Sequence, residues 1–232
     1  MKARLRSLAR RVPGARRLLM RARFGDLSRT EPFSSWGDAH GMAVDRWYIE
    51  AFLRQHQDLV HGHVLEVKSD QYASDLGASS VEVVDIDPSN TAATLLGDLC
   101  DPATLQTGQY DAAIVTQTLQ LVPDPSAALT NLVRSLRSGG TLLVTVPCLS
   151  RLAGDWDRWR WTPVGFRDVV AAAVPANAKV TVVGLGNGLA ARAFLFGLSV
   201  NDLDPAALAV TDPEVPFVVA ACVQVPAAAD EA

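Results

Sequence analysis

Short, continuously apolar or β-branched runs alternate along this chain with stretches whose apolar positions recur every three or four residues. The runs at 64–67, 81–86, 112–116, 141–146, 179–183 and 217–225 have the length and the Val/Ile content of strands buried on both faces of a mostly parallel sheet. Between them, residues 125–136 place Ala128, Leu129, Leu132, Val133 and Leu136 on one helical face, and Ser138, Gly139 and Gly140 supply a stop before the next strand. Residues 166–174 and 189–198 read as two further helices. A short run at 94–96 follows Asp87 after only 88–93, too few residues for an ordinary crossover helix, so a trimmed second helix is expected there. The pattern predicts an α/β fold: a Rossmann-like, doubly wound, mostly parallel seven-stranded sheet with helices on both faces.

Composition narrows the class. At 232 residues, 49% hydrophobic and 20% charged, the chain suits one large α/β domain with short additions at its ends. The expected division is a basic tail over 1–25, a helical lid or lead-in over 26–60, and the sheet domain over 61–226, with a frayed end beyond. Cys100, Cys148 and Cys222 are far apart and form no C-x-x-C pair, so neither a metal site nor a disulfide framework is expected. No apolar run approaches the roughly 18 residues of a membrane span, and the N-terminus lacks a secretory apolar core. A cytoplasmic protein is expected.

Charge is distributed unevenly, which the net value of -4 conceals. Residues 1–25 hold nine Lys and Arg and no acid, leaving 12 basic against 25 acidic residues elsewhere. Leu5, Leu8, Ala9 and Val12 follow helical spacing until Pro13 and Gly14, and Leu18, Leu19 and Met20 resume an apolar patch. Such a tail suits an anionic membrane surface or an acidic partner, with peripheral membrane association as the corollary; nucleic acid is not the favoured counterpart. A solvated tail has the same composition.

Candidate chemistry begins at the strand ends. Glu66 closes the first apolar run and Asp85 the second, 19 residues later, about the spacing at which a Rossmann unit sets a carboxylate on the ribose hydroxyls of a nucleoside. The turn after the first run lacks the glycines that allow close backbone approach and has Lys68, Asp70 and Tyr72 instead.

Val64-Leu-Glu66, Val84-Asp-Ile86, Gly97-Asp-Leu99, Tyr110-Asp111 leading to residues 116–124, and 136–140 leading to Val146-Pro147 occur in an order that resembles the class I S-adenosylmethionine-dependent methyltransferases of the type 11 group. The stretch Trp156-Asp-Arg-Trp-Arg-Trp-Thr-Pro163 and the lead-in 33–53 are similar to the subgroup associated with sugar and glycan biosynthesis. The degenerate glycine loop is the main departure.

The resemblance implies S-adenosyl-L-methionine as cofactor and an oxygen of a small molecule, a sugar or glycosylated metabolite, as methyl acceptor. It places Asp85 on the ribose diol, Asp98 and the Leu99 amide on the adenine edge, the Ile86 side chain on its face, and Gln117 in the crevice at the switch point. Glu66 belongs to the cofactor turn as its organiser. Lys68 either pairs with the cofactor carboxylate or plugs the site through Glu66 or Asp70.

Methyl transfer to a hydroxyl needs a proton acceptor. His40, in a Gly-bounded loop, is the nominated catalytic base, with Asp38 and Asp45 as alternates; the histidine found after the fourth strand in some related enzymes is replaced here by Gln120-Leu121. Trp159 and Arg160 are the candidate acceptor contacts, an apolar face beside a cation suited to phosphate or carboxylate. The other readings open to the sequence are a different natural-product reaction on the same fold and a non-catalytic relative that binds a partner.

Overall fold

The computed structural model describes residues 14–25 and 30–227. The helical spacing between Leu5 and Val12, the start of the 26–60 lead-in and the last five residues lie outside the described residues.

Seven strands form a single sheet in the order β3-β2-β1-β4-β5-β7-β6: β1 (His63–Val67), β2 (Ser80–Asp85), β3 (Leu95–Leu96), β4 (Tyr110–Thr116), β5 (Leu136–Pro147), β6 (Lys179–Leu185) and β7 (Val218–Gln224). Strands β3, β2, β1, β4 and β5 pair in parallel, and β7 runs antiparallel to both β5 and β6. The order reverses beside β1, whose neighbours are β2 on one side and β4 on the other. That reversal opens a crevice at the carboxyl ends of the strands. The expected α/β architecture with seven strands is therefore the observed one.

Each face of the sheet carries a helical layer. On one face, α4 (Pro125–Ser135) and α5 (Pro163–Ala173) bury Leu129, Leu132, Phe166 and Val170 against Leu142, Val144 and Val219. Asp124 caps α4 by accepting from the amides of Ser126 and Ala127, with Pro125 in the first turn where its missing N–H costs nothing. The opposite layer holds α2 (Val44–Gln55) and α6 (Gly188–Leu195), which pack Ile49, Phe52, Ala190 and Phe194 against Ile114, Phe217 and Ala220. Thus α2 is a component of the core. The loop before it is stitched to the end of α6, where Phe33 N donates to Phe196 O at 2.7 Å and Ser34 Oγ to Gly197 O at 2.7 Å. Gly37, at φ 85°, closes this seam, since a Cβ there would overlap the Leu198 carbonyl.

Two local expectations change. No helix forms between β2 and β3; that link consists of turns, pinned by side-chain bonds such as Ser89 N to Asp87 Oδ1 at 2.9 Å. The first crossover is reduced to the five residues of α3 (Gln71–Asp75). Helix α4 stops at Ser135, because Leu136 already pairs with Tyr110 as the first residue of β5. Ser138, Gly139 and Gly140 consequently lie inside that strand.

At the N-terminus, α1 (Ala15–Phe24) leaves Leu18 72% exposed and carries Arg16, Arg17, Arg21 and Arg23 with no acid. Phe24 lies under Arg192 of α6, 6.0 Å from guanidinium to ring centre. Among the described residues no helix is long and apolar enough to cross a membrane.

Candidate functional site

Two cavities open at the carboxyl ends of β1, β2, β4 and β5. The first, about 820 Å³, runs from the β1 turn across the ends of β2 and β4. The second, about 700 Å³, lies between that turn, the start of α2 and the loop after β5. Arg46, Lys68, Gln71, Tyr72, Gln117 and Leu121 line both, so the two spaces share a wall.

Lys68, Asp85, Ile86, Asp98, Leu99 and Gln117 all line the first cavity. Asp85 ends β2 and holds its carboxylate in a small network: Oδ1 accepts from Asp87 N at 3.1 Å and Oδ2 from the Asn90 side-chain amide at 2.7 Å. The same Asn90 amide donates to Lys68 O at 2.8 Å, tying the β1 turn to the β2 end. Ile86 presents its side chain at 67% exposure beside that carboxylate. Asp98 Oδ1 accepts from Cys100 N at 2.8 Å, which fixes the turn after β3, while Leu99 is buried behind it.

Lys68 adopts φ 75° and Gln117 φ 47°, left-handed conformations that favour glycine. The backbone after β1 thus follows a glycine-type path although the glycine is absent. Gln117 Nε2 is buried without a hydrogen-bond partner among the described residues.

Glu66 is not at the cavity wall. It is buried at the end of β1, accepting from Tyr72 N at 3.2 Å and Ala73 N at 2.7 Å, and so anchors the first turn of α3 from beneath. Burial pushes its carboxyl up to about 7, against the opposing pull of those two amides.

The base candidates separate. Asp38 and Asp45 line the second cavity. His40 lines neither; its exposed ring packs on Phe33 with centroids 5.0 Å apart. Asp45, in the first turn of α2, has its carboxyl raised by burial, partly offset by Arg46 and the Arg46 amide, which donates at 2.9 Å.

The acceptor candidates change as well. Trp159 Nε1 donates to Val122 O at 2.9 Å and its ring stacks 6.3 Å from Trp161, which is itself core against Phe166. Arg160 is committed to Asp157 at 2.5 and 2.8 Å and to Arg151 O at 3.0 Å. Both residues brace the loop after β5 and line neither cavity. Trp156 in the same segment, 58% exposed, does line the first.

Sequence reasoning missed Arg46, Asn90 and Arg151. Asn90 belongs to a helix-free link that carries no periodic signal. Arg46 and Arg151 reach the site through tertiary packing alone. Among the described residues no group of three or more His, Cys, Asp or Glu is arranged to hold a metal ion.

Residues 60–144, from just before β1 to the middle of β5, match the family described as Methyltransferase domain. Among solved structures, the chain is similar to the methyltransferase of Haloferax volcanii in complex with the activator Trm112, at 16% identity and TM-score 0.54, covering 78% of this chain and 91% of that one. It is similar to an S-adenosylmethionine-dependent methyltransferase from Mesorhizobium loti at 14% identity and TM-score 0.53, covering 78% and 100%. The [4+2]-cyclase SpnF aligns at 18% identity and TM-score 0.54 over 91% of this chain and 92% of its own. No curated protein sequence matches. The fold is that of the class I S-adenosylmethionine-dependent methyltransferases, and the cofactor that the domain match supports is S-adenosylmethionine.

Proposed function

We propose that this protein is an O-methyltransferase that moves a methyl group from S-adenosylmethionine to a small molecule, of the sugar or glycosylated-metabolite class. The observation that carries the reading is the convergence of Asp85, Ile86, Asp98 and Leu99 on one cavity whose far wall is shared with a second one. The group fits the residues present. Each Asp85 oxygen has one protein donor and retains a lone pair for a ribose hydroxyl. The exposed Ile86 offers an apolar face for a purine, and the unpartnered Gln117 Nε2 supplies a donor at the junction.

When bound, the cofactor supplies an electrophilic methyl on a sulfonium. The chain's residues then have three tasks. Asp85 and Asp98 would hold the nucleoside, Lys68 would pair with the cofactor carboxylate, and the shared wall would align donor and acceptor. Asp45 is the proton acceptor in this reading, because it lines the second cavity and burial raises its carboxyl above the ordinary range, which makes it the stronger base. Asp38 stands beside it in the same wall; His40 does not.

A second reading is supported by SpnF, named as a cyclase, which aligns over more of this chain than the methyltransferases quoted above do. In that case the same fold serves another natural-product reaction. The cationic α1 supports peripheral binding to an anionic membrane. Calorimetric titration with S-adenosylmethionine and S-adenosylhomocysteine tests the cofactor reading: binding of both supports it, and binding of neither leaves a partner-binding relative.

A further inference from the structure

Two guanidinium groups line the second cavity without a direct ion pair among the described residues, although Asp45 and Glu50 act on Arg46 through space. Arg151 is held by neutral oxygens, with Nη1 donating to Ser34 O at 3.2 Å and Ser35 O at 2.6 Å, and its guanidinium lies 5.9 Å from the Trp36 ring centre. Arg46 is held by the Tyr72 hydroxyl at 2.7 Å. Among the described residues neither forms an ion pair, whereas Arg54, Arg137 and Arg160 each sit within 2.8 Å of a carboxylate. Two of those carboxylates, Glu50 and Asp157, belong to the cavity's own wall. Arg54 and Arg160 therefore take the direct pairing of these two acids, while Glu50 still attracts Arg46 through space. The other two acids in the wall are Asp38 and Asp45, and neither forms a direct ion pair with Arg46 or Arg151 among the described residues.

A guanidinium fixed by carbonyls or a phenol keeps its whole charge, and its remaining N–H edge is available to a carboxylate or phosphate in a geometry that an ammonium cannot match. Beside it, Trp36 and Phe194 line the cavity with apolar surface. We propose that the second cavity takes an acceptor bearing an oxyanion, phosphate or carboxylate, read by Arg151 with Arg46 alongside. Arg151 is then a specificity-determining residue, since it lines the second cavity and not the first. The inference rests on reading this cavity as the acceptor site.

The test titrates the full chain with phenyl phosphate, benzoate and phenol, three probes that share a ring and differ in the anion. The expected result is that at least one anionic probe binds and phenol binds about ten- to a hundredfold more weakly, the span of a charged hydrogen bond. Arg151→Gln should lower anion affinity to the level of phenol, and Arg151→Lys should recover part of it. The ratio of phenyl phosphate to benzoate affinity distinguishes the two oxyanions. Phenol binding as tightly as the anions, or anion binding unchanged in folded Arg151→Gln and Arg151→Lys, overturns the proposal. S-adenosylhomocysteine titrated into the same samples should bind wild type and Arg151→Gln equally; its failure to bind either would remove the cofactor reading while the anion data stand independently.

Discussion

The side-chain amide of Asn90 donates to Asp85 Oδ2 at 2.7 Å and, through the same nitrogen, to Lys68 O at 2.8 Å. A residue in a helix-free link thus sets both the direction of the strand-end carboxylate and the height of the turn beside it. Asp85 is oriented before any ligand arrives, which lowers the ordering cost of binding.

Replacing that carboxylate should therefore be expensive for the cofactor. Asp85→Ala is expected to weaken S-adenosylhomocysteine binding by about 1.5 to 3 kcal/mol, the range for hydrogen bonds to a charged group. Calorimetry checks it, and unchanged affinity in a folded variant would take Asp85 out of the site.

Lys68 offers a measurement in which stability and affinity should move in opposite directions. Because its φ of 75° suits glycine, Lys68→Gly is expected to raise stability by about 1 kcal/mol. The same change should weaken cofactor binding through loss of the ammonium. Tighter binding by the glycine variant would show instead that the side chain obstructs the cavity.

Glu66 should make stability depend on pH. Its folded value of about 7 lies above the ordinary 4.5, so its contribution is fully present below about 4.5 and is lost as pH rises through about 7. The difference amounts to about 3 kcal/mol. Denaturant unfolding at several pH values should show this slope in wild type and a flatter profile in Glu66→Gln, which keeps an oxygen for one of the two amides. Parallel profiles would mean that Glu66 titrates alike in the folded and unfolded chain.

Asp45→Asn tests the base. Methyl transfer should fall about 10²- to 10⁴-fold while S-adenosylhomocysteine affinity is unchanged. His40→Ala should have little effect, its ring being packed on Phe33 outside both cavities. The reverse pattern would restore the histidine to the site.

For the N-terminus, full-length protein should bind vesicles containing anionic lipid in a salt-sensitive manner, and a variant lacking residues 1–25 should not. Equal sedimentation of both forms with the vesicles would leave the tail without a membrane role.

The strands were legible because residues buried on both faces must be apolar throughout, as in Ala112 to Val115, and the ends of β1 and β2 were legible because a carboxylate there interrupts the run. The β2–β3 link was not, since its geometry rests on side-chain bonds from Asp87 and Asn90 that leave no period in the sequence. The candidate acceptor contacts are engaged elsewhere for a related reason. Trp159 and Arg160 have the residue types a ligand pocket would use, yet a carbonyl of Val122 and the carboxylate of Asp157 reach them first. Local pattern shows which groups have chemistry to offer; competition from tertiary neighbours decides which of them remain available.

The missing helix between β2 and β3 leaves one corner of the sheet without a second layer. Ile86 and Leu96 stand there at 67% and 60% exposure, and β3 is only two residues long. Over the central strands such apolar surface is covered by α2, α4, α5 or α6. A purine resting on Ile86 would cover this corner in place of the absent helix, so that the nucleoside becomes a packing element as well as a reactant.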